Sequence, residues 1–403
     1  MRNLGIVSIL AVALVCGGLA DAAFAGYEIW LSGNLEGTGK VIARYDASDG
    51  SDIGYYYHPT LGDLTALPDA GTDFNALAQG PNGNIYMGYN TADWMVAELG
   101  MDGSVVTAPL INGPGGAVWH HDDGFRYEIN DIVFNTAGDR LLLTGQHWST
   151  GGVWGEGNRI QSTWRYLMDG TPDGTRTADH GAAHSSAELP TDANTMARDS
   201  LGNLYVTGDD ANIYKIAADG TFSGTPYIAE SVMEETVGAG IWDLRDVAVD
   251  ANDRLYVLGT VGNGVLNGRV WRFDSSGNPD GIADLSGTNP ALFATWQGYG
   301  GEGVVWADEI ALGPEDGYLY MVNDYDSGDT RENTEILRYY TSGDDDGTLV
   351  EVGGFANLGG DDALIDNGIG KMFFVEVPDP DLPGDTDGDG DVDINDLSTL
   401  ASN

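Results

Sequence analysis

A strand–turn–strand unit that recurs along the chain is the feature that most limits what this sequence can fold into. Each copy has a short apolar segment, a turn rich in Gly, Asp and Asn, and a second segment with β-branched or aromatic residues, as in "NTMARDSLGNLYVTG". The copies begin 51 to 64 residues apart, at Asn75, Asp131, Asn194, Arg245, Glu309 and Asp362. A third strand such as "IYKIAADG" usually follows. Repeats of this length with strand patterning predict an all-β fold, the β-propeller.

The number of blades follows from the order of the strands. Six first strands and six third strands are present, but one third strand, "KVIARYDASDG", starts at Lys40, whereas its first strand starts at Asp362. A blade that takes strands from both ends of the chain closes the ring of a propeller. We therefore expect six blades. Seven is the alternative, since the additional strand Tyr27–Gly33 ("YEIWLSG") duplicates a second-strand pattern.

The segment Asp199–Gly208, of the form DxxGNLYVTG, carries a family resemblance. It resembles the repeats of six-bladed propellers of the NHL and gluconolactonase/regucalcin-like kind, and the resemblance extends from residue 27 to residue 377. It implies the architecture and no single activity, because propellers carry many functions.

The N-terminus is typical of a signal peptide over residues 1–25. Arg2 precedes the apolar stretch Ile6–Ala20, and Ala23-Phe24-Ala25 fits a small-x-small cleavage site. The only cysteine, Cys16, lies inside this segment, and Val15 before it disfavours a lipoprotein signal. We expect a secreted or cell-surface bacterial protein whose mature chain starts near residue 26, has no disulfide and has no membrane span.

The charge balance restricts the possible partners. The chain has 63 acidic residues against 17 lysines and arginines, for a net charge of −46. Such a surface repels phosphate backbones and anionic lipids, which argues against binding to nucleic acid or to a membrane surface. It favours cations and neutral ligands.

Polar residues open the six first strands, and they form a candidate ring at one mouth of the propeller channel. The ring residues are Asn75, Asp131, Asn194, Arg245, Glu309 and Asp362. They either cap the strand ends around a water-filled channel or direct their oxygens at a cation, with Arg245 holding a carboxylate or another anionic group.

The gluconolactonase/regucalcin-like resemblance implies metal ligands at this register. In that family an Asn or Asp opens a first strand and binds a divalent ion, and Asn75, Asn194 and Asp362 are the closest matches, with Glu309 as a further carboxylate. An enzyme of this kind would use the ion to polarise a carbonyl or activate water, with Asp131 as the base. The candidate catalytic residues are therefore Asp131, Glu309 and Asp362.

Long predicted loops lie on the face of the propeller where this ring is expected. They carry five tryptophans: Trp119, Trp148, Trp154, Trp296 and Trp306. Indole rings near carboxylates and amides suit neutral saccharides, and the same tryptophans could equally pack the loops against the blades.

The C-terminal segment has the pattern of a calcium-binding loop. After the proline-rich linker at residues 378–384, Gly390 stands at the sharp bend of the loop and the ligand positions are Asp385, Asp387, Asp389, Asp391, Asp393 and Asp396. Residues 385–403 resemble one type I dockerin repeat, which implies a cohesin-like or other cell-surface partner. A full dockerin has two repeats, so we expect either a truncated module or a lone half-module.

These observations predict a signal peptide at 1–25, a propeller at 26–377 and a calcium-binding repeat at 385–403. The function that they favour is an exported binding or assembly module, with a saccharide as a candidate ligand. The alternative is a divalent-metal-dependent, lactonase-like hydrolase with its site at the channel mouth.

Overall fold

The structure is a computed structural model, and its described part contains six antiparallel sheets and one four-residue helix. It describes residues 26–35, 39–57, 73–90, 95–112, 125–149, 159–171, 173, 188–189, 193–208, 210–234, 241–262, 266–282, 289–296, 304–314, 317–326, 335–350, 356–357 and 371–377. No helix in these segments is long and apolar enough to span a membrane.

Each sheet is one blade, and the blades follow one another along the chain. Blade 1 contains β1 (Tyr27–Leu35), β2 (Gly39–Asp46) and β3 (Asp52–Tyr57). Blade 2 contains β4 (Asp73–Gln79), β5 (Ile85–Asn90), β6 (Met95–Leu99) and β7 (Val105–Asn112). Blade 3 contains β8 (Phe125–Phe134), β9 (Arg140–Ser149), β10 (Arg159–Leu167) and β11 (Glu188–Leu189).

The second half of the chain repeats this arrangement. Blade 4 contains β12 (Ala193–Arg198), β13 (Leu204–Gly208) and β14 (Ile213–Ile216), followed by α1 (Glu230–Met233). Blade 5 contains β15 (Ile241–Val249), β16 (Leu255–Gly262), β17 (Leu266–Phe273) and β18 (Leu292–Trp296). Blade 6 contains β19 (Val304–Leu312), β20 (Tyr318–Asp326), β21 (Glu335–Tyr340) and β22 (Ala356–Asn357), and β23 (Met372–Glu376) completes blade 1.

The first strands form a closed circle around the channel. β4 contacts β8, β8 contacts β12, and the contacts continue through β15, β19 and β23 back to β4. This circle confirms the predicted β-propeller, with six blades in the described part of the chain.

Blade 1 closes the ring with strands from both ends of the chain, but with a different assignment from the one expected. β23 pairs with β1 from Tyr27↔Glu376 to Leu31↔Met372. The additional strand at Tyr27 is therefore the second strand of blade 1 and not the start of a seventh blade. The segment "KMFFVE" is the innermost strand, whereas the repeat alignment made it a second strand.

Apolar side chains fill the space between neighbouring blades. Trp30 of blade 1 packs in one cluster with Met87 of blade 2, and Trp271 of blade 5 packs in another with Tyr205 of blade 4. Trp30 and Trp271 are fully buried, and burying a large apolar side chain contributes about 1.5–3 kcal/mol. The blades are therefore held against each other by a core that surrounds the channel.

The repeated turn is built around its aspartate. In blade 4, Asp199 Oδ1 accepts the backbone N–H groups of Leu201 (3.0 Å) and Asn203 (2.8 Å), and Oδ2 accepts from Asn203 Nδ2 at 2.7 Å and from the Tyr205 hydroxyl at 3.1 Å. Gly202 has φ +86°, a left-handed conformation that glycine adopts without strain. The DxxGN pattern is therefore explained by turn geometry alone.

Candidate functional site: a buried charged ring in the channel

In five of the six blades, one residue of the innermost strand occupies an equivalent register position in the channel. This residue stands three positions before the last residue of the first strand that pairs with the second strand. Asp131, for example, stands three positions before Phe134, which pairs with Leu141. In blade 1, Lys371 immediately precedes β23 and joins these residues through its contacts with Asp131, Asp246 and Glu309. We call the six residues the channel ring: Ala76, Asp131, Thr195, Asp246, Glu309 and Lys371.

A β-bulge lies at or beside the ring position in five of the innermost strands. The register shifts fall at Phe74/Ala76, Ile129/Asp131, Ala193/Met196, Leu244/Asp246 and Ala307/Ile310. Bulges bend a strand and re-aim the side chains beside them. They direct the ring side chains toward the channel and toward the next blade.

The structure places two of the six predicted ring residues, Asp131 and Glu309, in the channel ring. Asn75, Asn194 and Arg245 each precede a ring position by one residue. Each predicted residue stands nine positions before the residue that follows the turn. This constant spacing produced the shift, because the segment between paired strand ends has six residues in blades 3 and 6 (135–140 and 313–318) but five in blades 2, 4 and 5.

The sixth predicted residue, Asp362, lies outside the described residues. Its position was counted back from Lys371, but the structure shows that Lys371 immediately precedes the innermost strand β23, and in blade 1 Lys371 itself is the ring residue. Thr195 follows the predicted Asn194, and Asp246 follows the predicted Arg245. The side chains of Thr195 and Asp246 are described and belong to the ring. The side chains of Asn75 and Asn194 lie outside the described part.

Lys371 is the centre of the charged ring. Its Nζ lies 3.3 Å from Asp131 Oδ2 and 3.5 Å from Asp246 Oδ1. Glu309 Oε2 lies 3.5 Å from the same nitrogen. The lysine side chain is 14% exposed and those of Asp131 and Asp246 are 1% or less, so the group is almost removed from water.

The lysine is fixed by the neighbouring strand of its own blade. The Lys371 backbone N–H donates to Ser32 Oγ at 2.7 Å, and the Ser32 N–H donates to the Lys371 carbonyl at 2.9 Å. Ser32 is fully buried on β1. This pair of bonds sets the start of β23, and therefore the direction in which the ammonium points.

Asp131 connects blade 3 to blade 4. Its Oδ1 accepts the backbone N–H of Ile132 at 2.9 Å, and its Oδ2 accepts the backbone N–H of Met196 in the next blade at 2.9 Å. Thr195 Oγ1 also lies 3.0 Å from Asp131 Oδ2. Bonds of this kind hold the carboxylate in one orientation.

Asp246 repeats the same arrangement between blades 5 and 6. Its Oδ1 accepts the N–H of Val247 at 2.8 Å, and its Oδ2 accepts the N–H of Ile310 in the next blade at 2.9 Å. Thr195 Oγ1 lies 2.6 Å from Asp246 Oδ1 as well as close to Asp131, so a single hydroxyl lies between the two carboxylates.

Burial shifts the protonation equilibria of the ring. Desolvation raises the pKa of Asp131, although the Lys371 ammonium opposes the shift. Desolvation raises the pKa of Glu309 well above its usual value, and the charge of Asp246 and a hydrogen bond with Asp246 add to the effect. Burial opposes the charge on Lys371, but the three carboxylates raise its pKa well above the usual value. One ammonium is thus shared by three acids.

A cavity of about 640 Å³ reaches the ring from one side. Its inner end is formed by Asp131 and Lys371. Its rim includes Gly80, Pro81 and residues 135–138, which belong to turns between first and second strands. We call this opening the channel cavity and this side of the propeller the turn face.

The cavity opening differs from the expectation that the ring lies at the mouth where first strands begin. β8 begins at Phe125, six residues before Asp131, so the ring lies inside the channel. The five ring residues that lie within strands are buried because their strands continue on both sides of them. The described access is from the turn face.

The ring does not fit a divalent metal ion as it stands. Asp131 Oδ2 already receives Met196 N–H, the Thr195 hydroxyl and the Lys371 ammonium. The ammonium occupies the space between the carboxylates where a metal would need open oxygens. No cluster of three or more His, Cys, Asp and Glu suited to a metal ion occurs among the described residues.

The remaining predicted sites are described only in part. Residues 385–403, with all six aspartates of the calcium loop, lie outside the described residues, as do Trp119 and Trp154. Trp148, Trp296 and Trp306 lie within β9, β18 and β19, so these three positions belong to strands and not to loops.

Comparison with known proteins supports the fold. No protein-family model and no curated protein sequence matches the chain. Among solved structures, the periplasmic gluconolactonase of Pseudomonas aeruginosa is similar with a TM-score of 0.50 at 12% identity, over 87% of this chain and 99% of that one. A protein of unknown function from Bacteroides caccae is similar with a TM-score of 0.48 at 12% identity, over 86% and 98% of the two chains. At this identity the similarity to the gluconolactonase shows a shared fold alone.

Proposed function

We propose that the protein is a hydrolase of small cyclic esters or related carbonyl compounds, with its reaction centre where the channel cavity meets the charged ring. The observation that carries the proposal is Lys371 Nζ, 3.3 Å from Asp131 Oδ2 at the inner end of an open cavity. Ionisable groups with perturbed pKa values at the end of a cavity are typical of catalytic sites. The gluconolactonase type of propeller supports the same substrate class.

The two cavity-facing groups can divide the chemistry of ester hydrolysis. The Lys371 ammonium would donate a hydrogen bond to the carbonyl oxygen and stabilise the negative charge that develops there. Asp131 would accept a proton from the attacking water and return it to the leaving ring oxygen as the C–O bond breaks. The products are a hydroxy acid and the regenerated carboxylate. Burial supports the base role, because it raises the pKa of Asp131.

The other ring residues would position this pair. Thr195 Oγ1 lies within hydrogen-bond distance of both Asp131 and Asp246, so it limits rotation of the base. Glu309 and Asp246 keep Lys371 charged, since their carboxylates raise its pKa. In this proposal the ammonium fills the electrophilic role, in contrast to the divalent ion that the sequence resemblance implied.

The test is hydrolysis of glucono-δ-lactone followed by proton release at constant pH. We expect turnover that persists with a chelator present and that falls by about 10²- to 10⁴-fold in kcat/KM for Asp131→Asn. Asp199→Asn is the matched control, because it changes a buried aspartate outside the channel cavity. Turnover that is equal in the wild type and Asp131→Asn would overturn the assignment.

A non-catalytic binding module is the second candidate, and one observation favours it. Both oxygens of Asp131 and of Asp246 accept backbone N–H groups, which also suits a purely architectural role. In this case a saccharide or other neutral ligand would bind on the face opposite the turn face. Binding of such a ligand without any turnover would favour this candidate.

The two ends of the chain extend either function. We propose export by the signal peptide at residues 1–25 and calcium binding by Asp385, Asp387, Asp389, Asp391, Asp393 and Asp396, with a cohesin-like or other cell-surface partner for the dockerin-like repeat. The support is the sequence pattern of these segments.

A further inference from the structure

Arg198 is a charged group that the ring chemistry does not use. It is the last residue of β12, it lines the channel cavity, and its side chain is half-buried. Its Nη1 is fully buried and makes no hydrogen bond, and no carboxylate in the described part of the chain forms an ion pair with it.

Other arginines of the blades are paired. Arg44 lies 2.6 Å from Glu28, Arg254 lies 2.6 Å from Asp250, and Arg272 lies 2.7 Å from Asp346. In a chain with 63 acidic and 17 basic residues, a carboxylate partner is easily supplied. The absence of one at Arg198 therefore requires a reason.

The neighbouring aspartate does not supply this partner. Asp199 uses its oxygens on Leu201, Asn203 and the Tyr205 hydroxyl. Burial lowers the pKa of Arg198, with Asp199 opposing the shift, so the guanidinium is partly desolvated without compensation. An anion in the cavity would remove this cost.

The rest of the cavity wall determines the kind of anion. Partly exposed apolar side chains from β4, β8, β15 and β23 line it, among them Val133, Phe134 and Phe373. The inner end carries the Lys371–Asp131 pair. A molecule that fits must combine a short apolar or neutral body with one anionic group at the Arg198 end.

We propose that the channel cavity binds a small organic carboxylate, with its carboxylate group paired to the Arg198 guanidinium and its body along the apolar wall. A guanidinium forms two parallel hydrogen bonds with a carboxylate, which gives direction as well as charge complementarity. The binding site is inferred from the cavity and the unpaired Arg198 and does not depend on the proposed function. Its extension, that the hydrolase acts on esters that carry a free carboxylate, rests on the proposed function.

The binding experiment uses calorimetry with hexanoate and hexan-1-ol as a matched pair of probes. We expect the wild-type protein to bind hexanoate and not the alcohol, and Arg198→Gln to weaken hexanoate binding by about 10- to 100-fold, the range for a lost charge-assisted hydrogen bond. Arg198→Lys should recover part of the affinity, because it keeps the charge but not the fork geometry. Arg269→Gln on β17, outside the cavity lining, is the control for net charge.

Two results would overturn the binding site: equal affinity for acid and alcohol, or equal loss in Arg198→Gln and Arg269→Gln. Far-ultraviolet circular dichroism of each variant excludes unfolding as the cause.

The extension to substrates is tested by turnover of phenyl acetate and of the hemisuccinate phenyl ester. We expect Arg198→Gln to reduce kcat/KM for the charged ester only. Turnover of both esters that is unaffected by Arg198→Gln sinks the extension, and so does turnover of glucono-δ-lactone without turnover of the charged ester. No turnover of either ester or of the lactone sinks the proposed function. Hexanoate binding that depends on Arg198 supports the site in both cases.

Discussion

Two buried aspartate–lysine pairs in this propeller show opposite electrostatics. In the channel, Asp131 lies 3.3 Å from Lys371, and in the turn of blade 4, Asp199 lies 3.7 Å from Lys215. Both carboxylates are buried. Yet the pKa of Asp131 is raised and the pKa of Asp199 is lowered.

The difference lies in the neighbours. Burial acts to raise the pKa of Asp199, but hydrogen bonds from Asn203 and Tyr205 and the charge of Lys215 together outweigh it. Asp131 also accepts hydrogen bonds, but it shares its ammonium with Asp246 and Glu309, and the charge of Asp246 adds to the effect of burial. Asp199 has a cation of its own, which favours its charged form, whereas Asp131 and Glu309 share one cation and burial raises their pKa values.

Removal of the lysine should give the largest difference between the two pairs in the free energy of unfolding. Lys371→Met leaves three buried carboxylates without a cation, and we expect it to lower the free energy of unfolding by about 3–5 kcal/mol at pH 8. Lys215→Met, the matched variant, should cost about 1 kcal/mol, because the hydrogen bonds to Asp199 remain and the ammonium is partly exposed. Urea unfolding measures both.

A Lys371→Met protein that does not fold at pH 8 still provides a test. Protonation of the carboxylates removes the uncompensated charge, so the variant should regain structure as the pH is lowered toward 5. Equal losses in the two lysine variants would contradict the difference between the pairs.

The alkaline side of the stability profile should depend on Glu309. The pKa of Glu309 is raised in the folded state. Its contribution to the free energy of unfolding is therefore present below the unfolded-state pKa of about 4.3 and is lost as the pH rises through the folded-state pKa. Glu309→Gln cannot ionise, so we expect its free energy of unfolding, relative to wild type, to increase from pH 4 to pH 8. Parallel profiles for the two proteins would contradict this.

The acid side should depend on Asp199, with the opposite sign. The pKa of Asp199 is lowered in the folded state. Its contribution to the free energy of unfolding is therefore present above the unfolded-state pKa of about 3.9 and is lost as the pH falls through the folded-state pKa. We expect Asp199→Asn to lose about 1–2 kcal/mol at pH 7 and less at pH 3. Urea unfolding at the two pH values gives the comparison, and a loss that is larger at pH 3 would reverse the assigned sign.

The smallest effect on the propeller is expected from the C-terminal repeat. Asp385→Ala removes a ligand at the first position of the calcium loop, so calorimetry should count one calcium site fewer. The free energy of unfolding of the propeller should not change, because the loop follows a proline-rich linker. An unchanged calcium count would refute the loop assignment.

Much of the fold could be predicted from the sequence, because a repeated turn leaves a repeated pattern. The DxxGN turn at Asp199 requires an aspartate acceptor and a glycine with positive φ at fixed spacing, so it is visible in the residues alone. The blade that closes the ring was also expected. Its inner strand was assigned wrongly, because "KMFFVE" resembles a second strand in composition.

The channel ring could be predicted only in part. The constant spacing before the turn predicts Asp131 and Glu309, but Asp246 stands beside the predicted Arg245 and Lys371 stands nine residues after the predicted Asp362. A difference of one residue in turn length and a bulge in five of the innermost strands decide which side chain enters the channel. Neither leaves a residue pattern that can be read without the pairing partner.

The sequence by itself determined the repeat, the strand pattern and the acidic character, because these depend on local turn chemistry and on residue type. The tertiary structure decided that Lys371, 240 residues from Asp131 along the chain, lies among three carboxylates. It also decided that Arg198 lines a cavity without a partner. Both results depend on closure of the ring, which brings distant strands to one axis and removes their charges from water.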